Sequence, residues 1–226
     1  MHYPTSGRAP GLPFDPFKAL VAPRPVGWVA TVDAQGQPNL APYSFFNAIS
    51  DRPPMLMFSS GGTKDTLRNI LATGEFTCSM ANWDLREAMN MTSATVRPGV
   101  NEFELAGLAP APSMLVKPPR VAAAPAAFEC RLWKTLELPA AAGRPGGPAP
   151  VSYTLVIGEV VAIYIDDQFI EDGIVQTGKM RPLARLGYMD FSVVSPESMF
   201  TLNRPLASDD GLSASVQPGP WDGVYR

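Results

Sequence analysis

Two short stretches concentrate side chains that could hold a ligand. Ser44-Phe45-Phe46-Asn47 sets a hydroxyl and an amide around two aromatic rings. That mix can hydrogen-bond the polar edge of a flat ring system and lie against its faces. Further on, Ser59-Ser60-Gly61-Gly62-Thr63-Lys64-Asp65-Thr66 offers hydroxyls, two glycines and one ammonium where a helix is expected to begin. Unpaired N–H groups at a helix start attract anions, so this set suits a phosphate monoester. The G-x-x-x-x-G-K-[ST] phosphate loop itself is absent. Each stretch also has a plainer reading. Phe45 and Phe46 serve as core with Asn47 opening a turn, and Thr63 caps a helix beside a solvated Lys64. Asn82-Trp83 and Thr92-Ser93 read equally as turn residues, and Lys179, Arg181 and Arg185 as a solvated basic face.

Several chemistries are missing. The one histidine is His2, near the terminus, which removes His-based triads and His-rich zinc sites. Cys78 and Cys130 lie far apart inside apolar runs, and read as buried thiols in a reducing compartment. Asp166-Asp167 with Glu171 and Asp172 lacks calcium-loop spacing, so no metal site is expected. Net charge is −3 with Lys and Arg scattered, which leaves no footprint for nucleic acid. No apolar run approaches the ~20 residues needed to span a bilayer, and no basic-then-apolar leader opens the chain. No membrane association is expected, and the cytoplasm is the expected compartment.

The elements that must position these residues are mainly strands. The 226 residues include 25 Pro and 19 Gly, which argue against long helices. Residues 1–16 read as an extended arm, 17–195 as one domain and 196–226 as an irregular tail. Val26 to Val32 and Pro38 to Ser44 form a hairpin about a turn at 33–37. Met55 to Ser60 is a continuous apolar strand, expected to be buried on both faces. Thr63 to Gly74 is a helix with Thr63 as N-cap, Gly74 as stop and Leu67, Ile70 and Leu71 on one face. Glu75 to Ala81 is a strand, Leu85 to Met91 a short helix and Asn101 to Leu108 a turn-like connector. Ala126 to Leu138 is a strand with Phe128, Cys130, Leu132 and Leu136 on one side. Residues 140–150 form an Ala/Gly/Pro loop. Tyr153 to Ile165 is the densest strand, bent at Gly158. Residues 163–174 read as strand end, acidic turn and short helix. Six or seven strands with short links fit a closed or nearly closed antiparallel barrel, because closure removes exposed edges.

Taken in order, several segments resemble the flavin reductase-like, FMN-binding split-barrel flavoproteins. They are Arg24-Pro25-Val26-Gly27-Trp28-Val29-Ala30-Thr31-Val32-Asp33, then Asn39 to Asn47, then Lys64-Asp65-Thr66-Leu67-Arg68-Asn69-Ile70. Val100 to Leu108, Ile157-Gly158-Glu159-Val160-Val161 and Arg181 to Gly187 continue the series. Each block is weak alone; the ordered set, over roughly residues 17–195, is specific.

The resemblance implies a fold that is mainly β with short helices, an antiparallel, Greek-key-like FMN-binding split β-barrel. It implies a homodimer with FMN near the interface. Ser44, Phe45, Phe46 and Asn47 then become flavin contacts. Ser59, Ser60, Lys64, Asp65 and Thr66 become candidates for the ribityl chain and phosphate. Thr92 and Ser93 add contacts from a loop, and Arg181, Arg185 and Tyr188 lie over the site, from the same or the partner subunit. The chemistry would belong to the flavin, reduced by NADH or NADPH, which accounts for the absence of His, Cys or carboxylate machinery. The leading expectation is an FMN-dependent, NAD(P)H:flavin reductase-like oxidoreductase acting on small molecules, with a partner monooxygenase among its possible acceptors. A flavoprotein oxygenase, a ferric-type reductase, a non-catalytic FMN-binding or electron-storage protein and a ligand-free barrel stand as alternatives.

Overall fold

A computed structural model describes residues 1–5, 10–140 and 151–224. The expected 140–150 loop therefore lies outside the described residues, apart from its first position.

The strands are β1 (Arg24–Pro25), β2 (Gly27–Val32), β3 (Pro38–Tyr43), β4 (Phe46–Asp51), β5 (Pro54–Gly61), β6 (Glu75–Met80), β7 (Pro110–Ala111), β8 (Arg120–Val121), β9 (Ala126–Leu138), β10 (Tyr153–Ile165), β11 (Ile170–Glu171), β12 (Ile174–Val175), β13 (Leu183–Arg185), β14 (Phe191–Val193), β15 (Leu206–Ala207) and β16 (Ala214–Ser215). The helices are α1 (Phe17–Leu20), α2 (Asp65–Thr73), α3 (Arg86–Met91), α4 (Glu102–Leu105) and α5 (Thr177–Met180).

Seven strands form one antiparallel sheet in the order β3-β2-β6-β9-β10-β5-β4. Its two edges, β3 and β4, are consecutive in the chain and joined by Ser44-Phe45 alone. In a flat sheet six strand spacings would hold them about 29 Å apart. The link from Tyr43 to Phe46 reaches only about 11 Å when stretched. The sheet must therefore curl until its edges meet. No ladder joins β3 to β4, so the barrel is split at that seam. The Phe46 ring covers the seam. It lies against Gly27 so closely that a Cβ there would sit 2.5 Å from its Cδ2.

The barrel interior is filled by Val29, Tyr43, Leu56, Phe58, Phe76, Cys78, Cys130 and Val156, with Leu67 and Ile70 of α2 packed on them. Both cysteines are free thiols in this cluster, and burial pushes Cys78 up to about 12. Val26, Trp28 and Ala30 point the other way, into a second cluster with Leu40, Met89, Phe103 and Leu183. Strand β2 is thus buried on both faces. The smaller sheet β1-β13-β14 lies beside this cluster. Glu102 of α4 accepts the Leu40 amide at 3.0 Å, and burial lifts its carboxyl above the ordinary value.

Several sequence expectations need correction. Strand β5 is buried on one face only: Leu56, Phe58 and Ser60 are buried while Met57 and Ser59 are partly exposed. Its apolar outer residues had concealed the alternation. Helix α2 starts at Asp65, so its N-cap is Lys64 rather than Thr63. Leu71 is 57% exposed, because the buried stripe runs through Leu67 and Ile70 instead. Asn101 caps a short helix, accepting the Phe103 amide at 3.1 Å, where a connector was expected. The short helix expected before Ile174 is a single 3₁₀ turn followed by the β11–β12 pair. In β9 the register skips at Trp133, since Gly158 pairs with Leu132 but Ile157 with Lys134. The extra residue inverts the alternation, so Leu136 leaves the side that holds Phe128 and Cys130 and is 50% exposed.

Candidate functional site

The seam positions the first stretch. Ser44 and Phe45 form the link itself, and the Phe45 carbonyl accepts the Ser59 amide at 2.9 Å. Its ring stands 6.1 Å from that of Tyr153. Phe46 is the seam plug, and it packs on the barrel cluster. Asn47 does not open a turn; it lies in β4, exposed, opposite Met57. Two of the four residues thus serve the barrel's closure, while Ser44 and Asn47 keep their polar groups at the surface of the seam.

The second stretch divides by strand geometry. Successive strand residues point to opposite faces, so Ser60 turns inward and Ser59 outward. Ser60 Oγ donates to the Gly62 carbonyl at 3.2 Å. Ser59 Oγ is buried and has no hydrogen-bond partner. Thr66 accepts from Asn39 at 3.0 Å inside the fold. Burial raises the Tyr43 hydroxyl's pKa, and the nearby Thr66 and Ser60 hydroxyls oppose that shift. Asp65 pairs with Arg68 and accepts the Gly99 amide at 3.3 Å. Lys64 is exposed and caps α2 in extended conformation without a side-chain hydrogen bond. A lysine can only donate. The first turn of α2 therefore presents its amides and an ammonium together, and the one carboxylate in that turn, Asp65, is engaged by Arg68 and the Gly99 amide.

A cavity of about 190 Å³ brings Ser44 together with three more expected residues, Ser93, Arg185 and Tyr188. Ser93 Oγ donates to the Asn90 carbonyl at 2.7 Å. Arg185 donates to the Tyr188 carbonyl, and burial followed by the charge of Arg24 lowers its pKa. Tyr188 is held at φ 52, a left-handed conformation that side chains other than glycine rarely take. Thr92 does not reach this cavity. It is 2% exposed, with its hydroxyl accepting from Trp28 at 2.9 Å and donating to the Met89 carbonyl. Arg181 also stands elsewhere, 3.6 Å from Asp84 and with its guanidinium 5.3 Å from the Trp83 ring.

Sequence reasoning missed Lys18, Arg24, Asn90 and Phe191, which line the same cavity. Arg24 carried a signal: an arginine just ahead of the apolar run from Val26 to Val32.

The residues fit a flavin nucleotide on two counts. The start of α2, whose N-cap Lys64 makes no side-chain cap hydrogen bond, suits a phosphate, and the orphaned Ser59 hydroxyl lacks a partner that a polyol chain could supply.

The model of the flavin reductase like domain matches residues 20–184. An Aquifex aeolicus protein is 38% identical over 174 residues, covering 74% of this chain and 83% of that one. The structure of nitrilotriacetate monooxygenase component B from Bacillus cereus is similar at 30% identity and a TM-score of 0.74, covering 89% of this chain and 98% of that one. Pseudomonas fluorescens 2-nitrobenzoate 2-nitroreductase is similar at 27% identity and a TM-score of 0.76, covering 92% and 100%.

Proposed function

This chain belongs to the flavin reductase-like domain family, and on that premise we propose that it is an FMN-dependent oxidoreductase of the NAD(P)H:flavin reductase type. Family membership supports a flavin-related oxidoreductase. The choice of FMN rests on one observation: an uncapped α2 whose N-cap is Lys64, a seat for a terminal phosphate. When bound, FMN supplies hydride acceptance and onward electron transfer. The chain's part is to hold it. Lys64 and the α2 amides fix the phosphate, while Ser44, Asn47 and Ser59 offer polar groups along the seam. The Bacillus relative is named as a monooxygenase component, which supports a partner monooxygenase as one destination for the electrons.

An absorption spectrum of the purified protein tests this reading. FMN should be bound or taken up, and NADH or NADPH should bleach it without oxygen. A protein that neither carries nor binds FMN would overturn the proposal. Bound FMN untouched by both nicotinamides would instead favour the electron-storage reading.

We further propose a homodimer formed through the outer face of β5, β9 and β10. Cross-strand register places Met57 beside Ile157, and Leu155 beside Leu136. Trp133 is 61% exposed on the same β9. Such a contiguous apolar face is typical of a subunit contact. Sedimentation should find a dimer, and Leu136→Asp should shift it toward monomer. A monomeric wild-type chain at micromolar concentration would remove the proposal. No described helix is long and apolar enough to cross a membrane, and the buried thiols suit the cytoplasm.

A further inference from the structure

The cavity beside Arg24 has an imbalance of charge that the fold does not explain. Arg24 is 6% exposed. Its guanidinium donates to the carbonyls of Lys18, Val21 and Leu186, all neutral acceptors. Its Nε is buried and unpartnered. Among the described residues no carboxylate pairs with it. A buried cation without a counter-charge is costly.

The next cation makes the imbalance larger. Arg24 of β1 stands directly opposite Arg185 of β13 in the ladder. Like charges at opposed ladder positions destabilise a sheet. Asp190 tempers Arg185 only in part, since the net effect of its surroundings is to lower its pKa. Lys18 lines the same cavity, and among the described residues no acid does. In a chain of net charge −3, three cations share one small space. Asn90, Ser44 and Ser93 add neutral polar groups.

The neighbouring cavity differs in character. It measures about 390 Å³ and its lining includes Trp83, Leu183, Met189 and Phe191 together with Arg86 and Glu87; the Arg86 guanidinium lies 4.1 Å over the Trp83 ring and that of Arg185 4.4 Å over Phe191. The two cavities share Met89, Asn90, Arg185 and Phe191. An occupant of both would need an anionic head and a flat apolar body. A guanidinium fork matches a carboxylate's two oxygens, and aromatic walls suit a ring.

We propose that the joined cavities bind an aromatic carboxylate, its carboxylate between Arg24, Arg185 and Lys18 and its ring against Trp83 and Phe191. This rests on the flavin reading above and gives that site its second ligand: a small aromatic acid brought beside the seam where the flavin is held. The anion supplies the charge that the Arg24–Arg185 pair lacks.

The test uses benzoate as probe, with benzyl alcohol as the ring without charge and acetate as the charge without ring. Calorimetry on the purified chain, with and without added FMN, reads binding independently of flavin colour. Benzoate should bind at least about tenfold more tightly than either control, as one lost charge-assisted pairing is worth a decade or more. Lys18→Gln and Arg185→Gln should each weaken benzoate severalfold to tenfold and leave benzyl alcohol unchanged. Equal affinities for benzoate and benzyl alcohol would overturn the proposal. So would a Lys18→Gln variant that loses FMN affinity as much as benzoate affinity, which would give the cavity to the cofactor. A chain that binds benzoate but no FMN would sink the flavin reading and leave the acid site standing.

Discussion

Phe76→Ala is expected to lower the unfolding free energy by about 3–5 kcal/mol, the range for deleting a large aromatic side chain from a core. Phe76 is fully buried at the centre of the barrel and meets Phe58 edge-on, centroids 5.7 Å apart. Its ring fills the space over Gly158, where a Cβ would lie 2.4 Å from Cζ. The two positions are therefore coupled, and the coupling has a sign. Gly158→Ala in the wild type forces the ring or the strand to move, at a cost of about 1–3 kcal/mol. In the Phe76→Ala background the obstructing atoms are gone and the new methyl enters the vacated space. The double variant should then be clearly more stable than the two single losses added together. Denaturant unfolding of the four proteins measures this. Strict additivity would show that Phe76 does not require a glycine beneath it.

Lys64→Ala should weaken FMN far more than riboflavin, which has the same ring and polyol but no phosphate. A hydrogen bond to a charged group is worth about 1.5–3 kcal/mol, or roughly 10- to 150-fold in affinity. Lys64 is exposed in the free chain, which favours the lower part of that range. The α2 amides remain in the variant, so residual discrimination between the two ligands should persist. Fluorescence titration of both ligands against both proteins gives the answer. Equal weakening would move the phosphate away from α2, and the cationic cavity at Arg24 would become the alternative seat.

Parts of the fold were legible because local chemistry and tertiary environment agree. Ala126–Leu138 and Tyr153–Ile165 were read to the residue, the first from its alternation of apolar and polar residues and the second from β-branched and aromatic density that suits the middle of a sheet. Phe46–Asp51 went unread as a strand. Its Asn, Ser and Asp look like turn formers, yet an edge strand with an exposed face tolerates them. Leu136 was misassigned because period-two reasoning assumes an unbroken register, and the bulge at Trp133 breaks it. Thr63 was taken as the cap because its hydroxyl suits that position; the helix begins one residue later.

The candidate site shows the same division. Residue types pointed to the two stretches around the seam and to the start of α2, because backbone amides, hydroxyls and one ammonium are local properties. Strand alternation then set Ser59 and Ser60 on opposite faces, and the fold used Thr92, Phe46 and Asp65 for its own contacts. Arg181 and Arg185 look like one cluster in the sequence. Arg181 takes a left-handed conformation at φ 55 and turns to Trp83 and Asp84, while Arg185 enters the ladder opposite Arg24.

By itself, then, the sequence determined the family, the hairpin, the long strands and the phosphate-suited helix start, each encoded in neighbouring residues. Only the tertiary structure decided which charges share a space. Arg24 and Arg185 meet because a sheet pairs residues far apart in the chain, and no periodicity or propensity records that meeting.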